Sequence, residues 1–383
     1  MKLLSTASLL LCSGIITAAT AKPSPKSDCS KVSFRLPISV QNTAFSSPPD
    51  PNNETEIVDF VTSTFSGNLA PTNGTQLIDE TFTINAIYCK PLKHASKKRS
   101  AAILQILVHG ITYNKDMWSG LGLGEQYNWP AAANAEGYHT LAIDRIGHGF
   151  EKNAQYPDPL NVVQGAVHVE SVHQLIKAVR SSGRKNVLDT RFDKIIYVGH
   201  SYGSFVGTAL AGLYPSDVDA LVLTGWSTSI STTTGGAIPF RSAALLDPSR
   251  FRSRALGYVT VTEESSRETA FFYGRYDRTV AQRDFELEDT TTDGESATIL
   301  DIASVPPVGY KGRVFVATGT NDALFCEPPA ETCASLLEAT RQFFPGAVEF
   351  GYYMPLETGH CLTLHYTAPE TFRGVHEWLR RFF

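Results

Sequence analysis

From residue 101 onward, short continuously apolar runs alternate with helical stretches. The runs cover 101–108, 140–146, 194–198, 220–224, 313–318 and 348–354. A strand with one wet face alternates apolar and polar residues, whereas a strand buried on both faces does not. Helical stretches at 162–180, 204–213, 330–343 and 369–382 lie between the runs. This alternation predicts an α/β fold, with a mostly parallel central sheet covered by helices. Residues 225–312 break the rhythm. A structureless loop of that length does not fit a compact domain. Residues 228–308 are therefore expected to form a mostly helical cap inserted between core segments 101–227 and 309–383.

Residues 22–100 follow a different pattern. Val32, Phe34, Leu36, Ile38 and Val40 alternate with other residues, and so do Phe82, Ile84, Ala86 and Tyr88. Two half-buried antiparallel strands are expected there. A Pro/Asn/Ser/Thr-rich segment joins them, and a basic stretch, 93–100, leads into the core. Two N-x-[ST] sequons fall in this extension, at Asn53 and Asn73, and mark expected glycosylation sites.

The first 21 residues have the layout of a secretory leader. Lys2 is followed by a mainly apolar stretch and then by Ala19-Thr20-Ala21, so cleavage is expected after Ala21 and the protein is expected to be secreted. The apolar stretch is too short to span a bilayer, and no membrane anchor is expected. Loss of the leader removes Cys12 and leaves Cys29, Cys89, Cys326, Cys333 and Cys361. An odd count in an oxidising compartment leaves at least one thiol unpaired. Cys29–Cys89 and Cys326–Cys333 are the expected bridges, though other pairings remain open. With a net charge of −5 and no Lys/Arg cluster longer than 97–99, a nucleic-acid partner is not expected.

The sharpest chemical signal is Gly199-His200-Ser201-Tyr202-Gly203, set between an apolar run and a helical stretch. G-x-S-x-G in that context is a nucleophile elbow. Glycines on both sides let strand and helix approach, and the serine Oγ is held out at the strand's end. A serine hydroxyl needs a base, and the base needs an orienting acid. In strand–elbow folds these follow in the order Ser, acid, His. Asp322 follows the run at 313–318, and His360 follows the run at 348–354. Glu327 is a less well placed acid, Asp301 falls inside the cap, and His365 is the fallback base. His376 is expected in the terminal helix, facing away. Two N–H donors must receive an oxyanion. The amides of Tyr202 and of Ile111, which follows His109-Gly110, are the candidates. No zinc-spaced His/Cys cluster is present, and the glycine run at 120–124 does not directly follow a strand. No metal or cofactor is expected.

On these residues the chain resembles the α/β-hydrolase superfamily over roughly 100–383, in its single-domain, serine-nucleophile form with a cap. His109-Gly110, the segment Asp144-Arg145-Ile146-Gly147-His148-Gly149, the elbow, Asp322 and His360 carry the resemblance. It implies a structural role for Asp144. It disfavours the aspartate-nucleophile members, because the elbow holds serine. With the leader, the sequons and Cys326/Cys333, the chain resembles secreted fungal members. The expected function is cleavage of a small-molecule carboxylic ester or lactone by a Ser201–His360–Asp322 triad through an acyl-enzyme. The alternatives are an acyltransferase or natural-product cyclase on the same fold, or a non-catalytic binding protein. A monomer is expected.

Overall fold

A computed structural model describes residues 28–91, 102–181, 187–326 and 330–383. The leader, the basic stretch 93–100 and Glu327 lie outside the described residues.

Eleven strands are described: β1 Asp28–Phe45, β2 Thr72–Lys90, β3 Ile103–Val108, β4 His139–Ile143, β5 Lys194–His200, β6 Ala220–Thr224, β7 Phe240–Ser242, β8 Tyr258–Val261, β9 Thr291–Thr292, β10 Arg313–Ala317 and β11 Glu349–Tyr353. The helices are α1 Glu54–Phe65, α2 Trp129–Ala135, α3 Gly165–Arg180, α4 Tyr202–Leu213, α5 Thr232–Gly236, α6 Ala243–Leu246, α7 Pro248–Phe251, α8 Glu264–Phe271, α9 Arg278–Glu286, α10 Asp293–Ala303, α11 Ala330–Thr340 and α12 Ala368–Leu379. Eight strands form one sheet in the order β1-β2-β4-β3-β5-β6-β10-β11. It is antiparallel from β1 to β4 and parallel from β4 to β11.

The burial of each strand follows its sequence pattern. Every residue of β3 and β6 is buried, as helices on both faces require. In β1, Phe34, Leu36 and Ile38 are buried while their neighbours are exposed, the period-two pattern of a strand with one wet face. Cys29 faces Cys89 in the β1–β2 register, and a disulfide joins them. Cys326 is bonded to Cys333, and Cys361 is a buried free thiol.

Register places the site. Val108 pairs with Gly199, His200 with Thr224, Thr224 with Ala317, and Ala317 with Tyr353. The parallel strands therefore end level with one another. The loops that follow them open at a single sheet edge, the usual place for ligands in open α/β sheets.

Two segments differ from the sequence reading. Residues 225–312 hold six helices but also the small antiparallel sheet β7-β8-β9. Its strands are two to four residues long, too short to show a period. The Pro/Asn-rich segment between β1 and β2 holds the helix α1. Asn53 caps it, accepting from the amides of Thr55 and Glu56, and donates to Glu56 Oε1 at 2.8 Å. Asn73 is exposed near the start of β2. Among the described residues, no helix is long and apolar enough to cross a membrane.

The bridge Cys29–Cys89 closes a separation of 60 residues. Replacing both cysteines with serine is expected to cost about 2–4 kcal/mol, mainly by freeing the unfolded chain. Urea denaturation of the wild type and the double variant measures the difference.

Candidate active site

Ser201 stands between β5 and α4 with φ 54° and ψ −117°. Positive φ is strained for a residue with a Cβ. Close packing holds it there. A Cβ on Gly199 would sit 2.5 Å from the Gly203 carbonyl oxygen, and one on Gly203 would sit 2.2 Å from that of Val108. Only glycine allows β3, β5 and the start of α4 to approach so closely. The Ser201 amide donates to Thr224 O at 2.9 Å, which ties the turn to β6.

Asp322 lies in the loop after β10 and is fully buried. Its Oδ1 accepts from the amides of Leu324 and Phe325 at 3.0 and 3.1 Å. Its Oδ2 is 2.9 Å from His360 Nδ1. This bond orients the imidazole and leaves Nε2 as the nitrogen able to take a proton. The His360 ring stacks on Phe325 at 5.6 Å and lies 4.8 Å from the ring of His200, the residue before Ser201. A Cβ on Gly225 would come within 3.0 Å of His360. The bare glycine makes room for the ring beside the elbow.

His365 is used differently. Its Nε2 accepts from the amides of Tyr273 and Gly359, and its Nδ1 is 2.8 Å from Cys361 O. Both nitrogens thus hold the backbone around His360. Burial lowers its pKa to about 4. His376 lies in α12, buried between Trp129 and Tyr138, with Nε2 3.1 Å from Gln105. Asp301 receives a hydrogen bond from Thr43. The Cys361 thiol is 2.7 Å from the Tyr113 hydroxyl, and burial pushes its pKa well up.

Tyr202 is the first residue of α4, so its N–H has no carbonyl acceptor within the helix. Gly110 packs against Ser201, since a Cβ there would meet the serine Cβ at 2.9 Å. Ile111 follows it. The next residue is pinned: Thr112 N donates to Thr290 O, and Asp289 N donates to Thr112 O. Ser201, Tyr202 and Ile111 line one slender cavity with Ile230, Ile238, Ile299 and Leu324. It offers ≈ 40 Å³ to a water-sized sphere.

A buried cation organises this rim, and its role was not anticipated from sequence. Arg145 follows β4 and is ion-paired with Glu295 of α10, both buried. Its Nε and Nη2 donate to the carbonyls of His109 and Gly110 at 3.2 and 3.0 Å. Its guanidinium lies 4.5 Å over the Tyr202 ring. Both ring nitrogens of His109 are engaged, Nε2 with Arg145 N and Nδ1 with Gly110 O. His148 and His168 also approach Glu295, at 3.1 and 3.7 Å. Among the described residues, His148, His168 and Glu295 are the one grouping with metal-ligand spacing. Arg145 already supplies the cation there, at 3.1 Å from His168 and in contact with Glu295. Asp144 holds a separate buried pair with Lys115 at 2.8 Å. A charged residue inside an apolar sequence pattern is a weak signal for Arg145. Glu295 carried none, because it lies 150 positions away.

Glu295→Gln is expected to leave the Arg145 charge buried and uncompensated, at a cost of about 3–5 kcal/mol. Combining it with Arg145→Met should recover part of that loss. Chemical denaturation of the two single variants and the double variant tests the coupling.

The sequence profile described as the alpha/beta hydrolase family matches residues 105–374. Among curated proteins, none matches the chain significantly in sequence. Among solved structures, a putative hydrolase from Rickettsia typhi aligns at TM-score 0.50 and 13% identity, over 92% of this chain and 99% of its own. A lipase in an open form aligns at TM-score 0.51 and 15% identity, over 78% and 94%. A monoacylglycerol lipase of Paleococcus ferrophilus aligns at TM-score 0.49 and 14% identity, over 72% and 93%. At these identities the likeness to the first two structures speaks to the fold alone, while the profile match spans most of the chain: this protein belongs to the alpha/beta hydrolase family.

Proposed function

We infer that the protein is a secreted serine hydrolase that cleaves a small-molecule carboxylic ester or lactone. The observation that carries the reading is the buried Asp322–His360 hydrogen bond, with the His360 ring 4.8 Å from that of His200 on the elbow that holds Ser201 at φ 54°. In this reading Ser201 Oγ attacks the substrate carbonyl and gives its proton to His360 Nε2. Asp322 holds the ring and stabilises the imidazolium that forms. The amides of Tyr202 and Ile111 receive the oxyanion. The tetrahedral intermediate collapses to an acyl-enzyme, and the alcohol leaves with the proton from His360. Water then attacks the acyl carbon with His360 again as base, the bond to Ser201 Oγ breaks as His360 returns the proton to it, and the acid product leaves.

The lining supports an apolar acyl group, because aliphatic and aromatic side chains surround Ser201. A secretory route is supported by two disulfides, Cys29–Cys89 in the extension and Cys326–Cys333 near the C-terminal part of the core, and by the exposure of Asn73. Asn53 uses its Oδ1 to cap α1, and a glycan on its Nδ2 would leave that acceptor in place.

Intact-mass analysis after treatment with a fluorophosphonate is expected to show one adduct on the wild type and none on Ser201→Ala. An unlabelled, folded wild type would overturn the reading. Turnover of a labelled enzyme on esters in water, without an acyl acceptor, separates hydrolysis from acyl transfer.

Asp322→Asn is expected to leave the protein folded and lower kcat by about 10⁴-fold, as loss of the orienting acid does in other triads.

A further inference from the structure

The wall of the Ser201 cavity does not come only from the segment matched by the family profile. Phe65, the last residue of α1, lines it together with Phe240 of β7. Their rings stack at 5.4 Å with an interplanar angle of 27°. α1 lies between β1 and β2, upstream of the matched residues 105–374.

The helix is clamped at both ends. At its start, Glu54 takes a two-pronged hydrogen bond from Arg241 at 3.1 and 3.1 Å, and a third from the Ser242 amide at 3.1 Å. Near its end, Thr64 Oγ1 is 3.0 Å from Ser296 Oγ of α10. Just beyond Thr64, α5 presses bare backbone against it. A Cβ on Gly235 would come within 3.0 Å of the Phe65 carbonyl oxygen, and one on Gly236 within 2.1 Å of Ser66 Oγ. Ile57 and Val61 bury the inner face of α1. Phe65 is therefore held against the cavity by contacts along the whole helix.

We propose that Phe65, braced by Phe240, is a specificity-determining residue that limits the acyl chain this site accepts to a short aliphatic one. This rests on the ester-hydrolase reading above and deepens it. The space beside Ser201 is confined and lined almost wholly by apolar side chains, Phe65 and Phe240 among them. A short acyl chain is accommodated there, and a longer one meets the Phe65–Phe240 pair. Removing the Phe65 ring extends the cavity along the same apolar path without touching Ser201, Asp322 or His360.

The test uses the full secreted chain and p-nitrophenyl esters from acetate through butyrate, hexanoate and octanoate to decanoate. The wild type is expected to prefer acetate or butyrate. In Phe65→Ala the ratio of kcat/KM for octanoate to that for acetate should rise by roughly tenfold or more, since each accommodated methylene carries a factor of that order. Phe65→Leu provides a milder version should the alanine variant fail to fold, and Phe240→Leu should shift the ratio in the same direction. A wild type that is labelled by fluorophosphonate, with folded Phe65 variants showing an unchanged chain-length profile, would overturn this proposal and leave the hydrolase reading standing. A wild type already best on octanoate or decanoate would overturn it too. A wild type neither labelled nor active on any ester would instead bring down the reading on which the proposal rests.

Discussion

One buried guanidinium holds together the parts of the molecule that surround Ser201. Taking an arginine out of water costs several kcal/mol unless a carboxylate and further acceptors replace the lost hydration. Arg145 finds the carboxylate in Glu295 and the acceptors in the carbonyls of His109 and Gly110. Once those partners are in place, the loop after β3 cannot drift from the loop after β4, and α10 is anchored beneath both. Tyr202 is included, because its ring lies under the same guanidinium. The two amides proposed to receive an oxyanion thus sit on backbone braced by one charge. Catalytic donors are effective when they need not reorganise during the reaction, and a rigid ion pair behind them provides that.

The same logic extends from the rim to the cavity. Segment 225–312 contributes Glu295 behind the rim, Ile299 on the cavity side of α10, and Phe240 on the small sheet. The N-terminal extension contributes Phe65. Neither segment supplies Ser201, Asp322 or His360. The division is physical: the parallel strands hold the three groups proposed to react level with one another, while the inserted elements line the cavity beside Ser201. Changes in segment 225–312 and in the extension need not disturb the positions of those polar groups, consistent with one fold serving many substrates.

How much was legible in the sequence depended on how local each signal was. The elbow was legible because steric need concentrates in five consecutive residues between a strand and a helix. The strand ends were legible because continuous apolar runs stop at them, which put Asp322 and His360 in loops after β10 and β11. Helix α1 was missed because Pro, Asn and Ser dominate its approach, and only Asn53 with its capping role announced it. The small sheet β7-β8-β9 was missed because strands of two to four residues carry no readable period. Arg145 and Glu295 were missed as a pair because nothing local relates residues so far apart.

By itself, the sequence determined the fold class, the elbow, and the order of serine, acid and histidine, because each depends on periodicity or on a few adjacent residues. Tertiary structure alone decided that His360 rather than His365 meets Asp322, that Arg145 and Glu295 brace the rim, and that Phe65 reaches the cavity. Those outcomes depend on strand register, on which side chains can share a buried charge, and on how two inserted segments pack against each other.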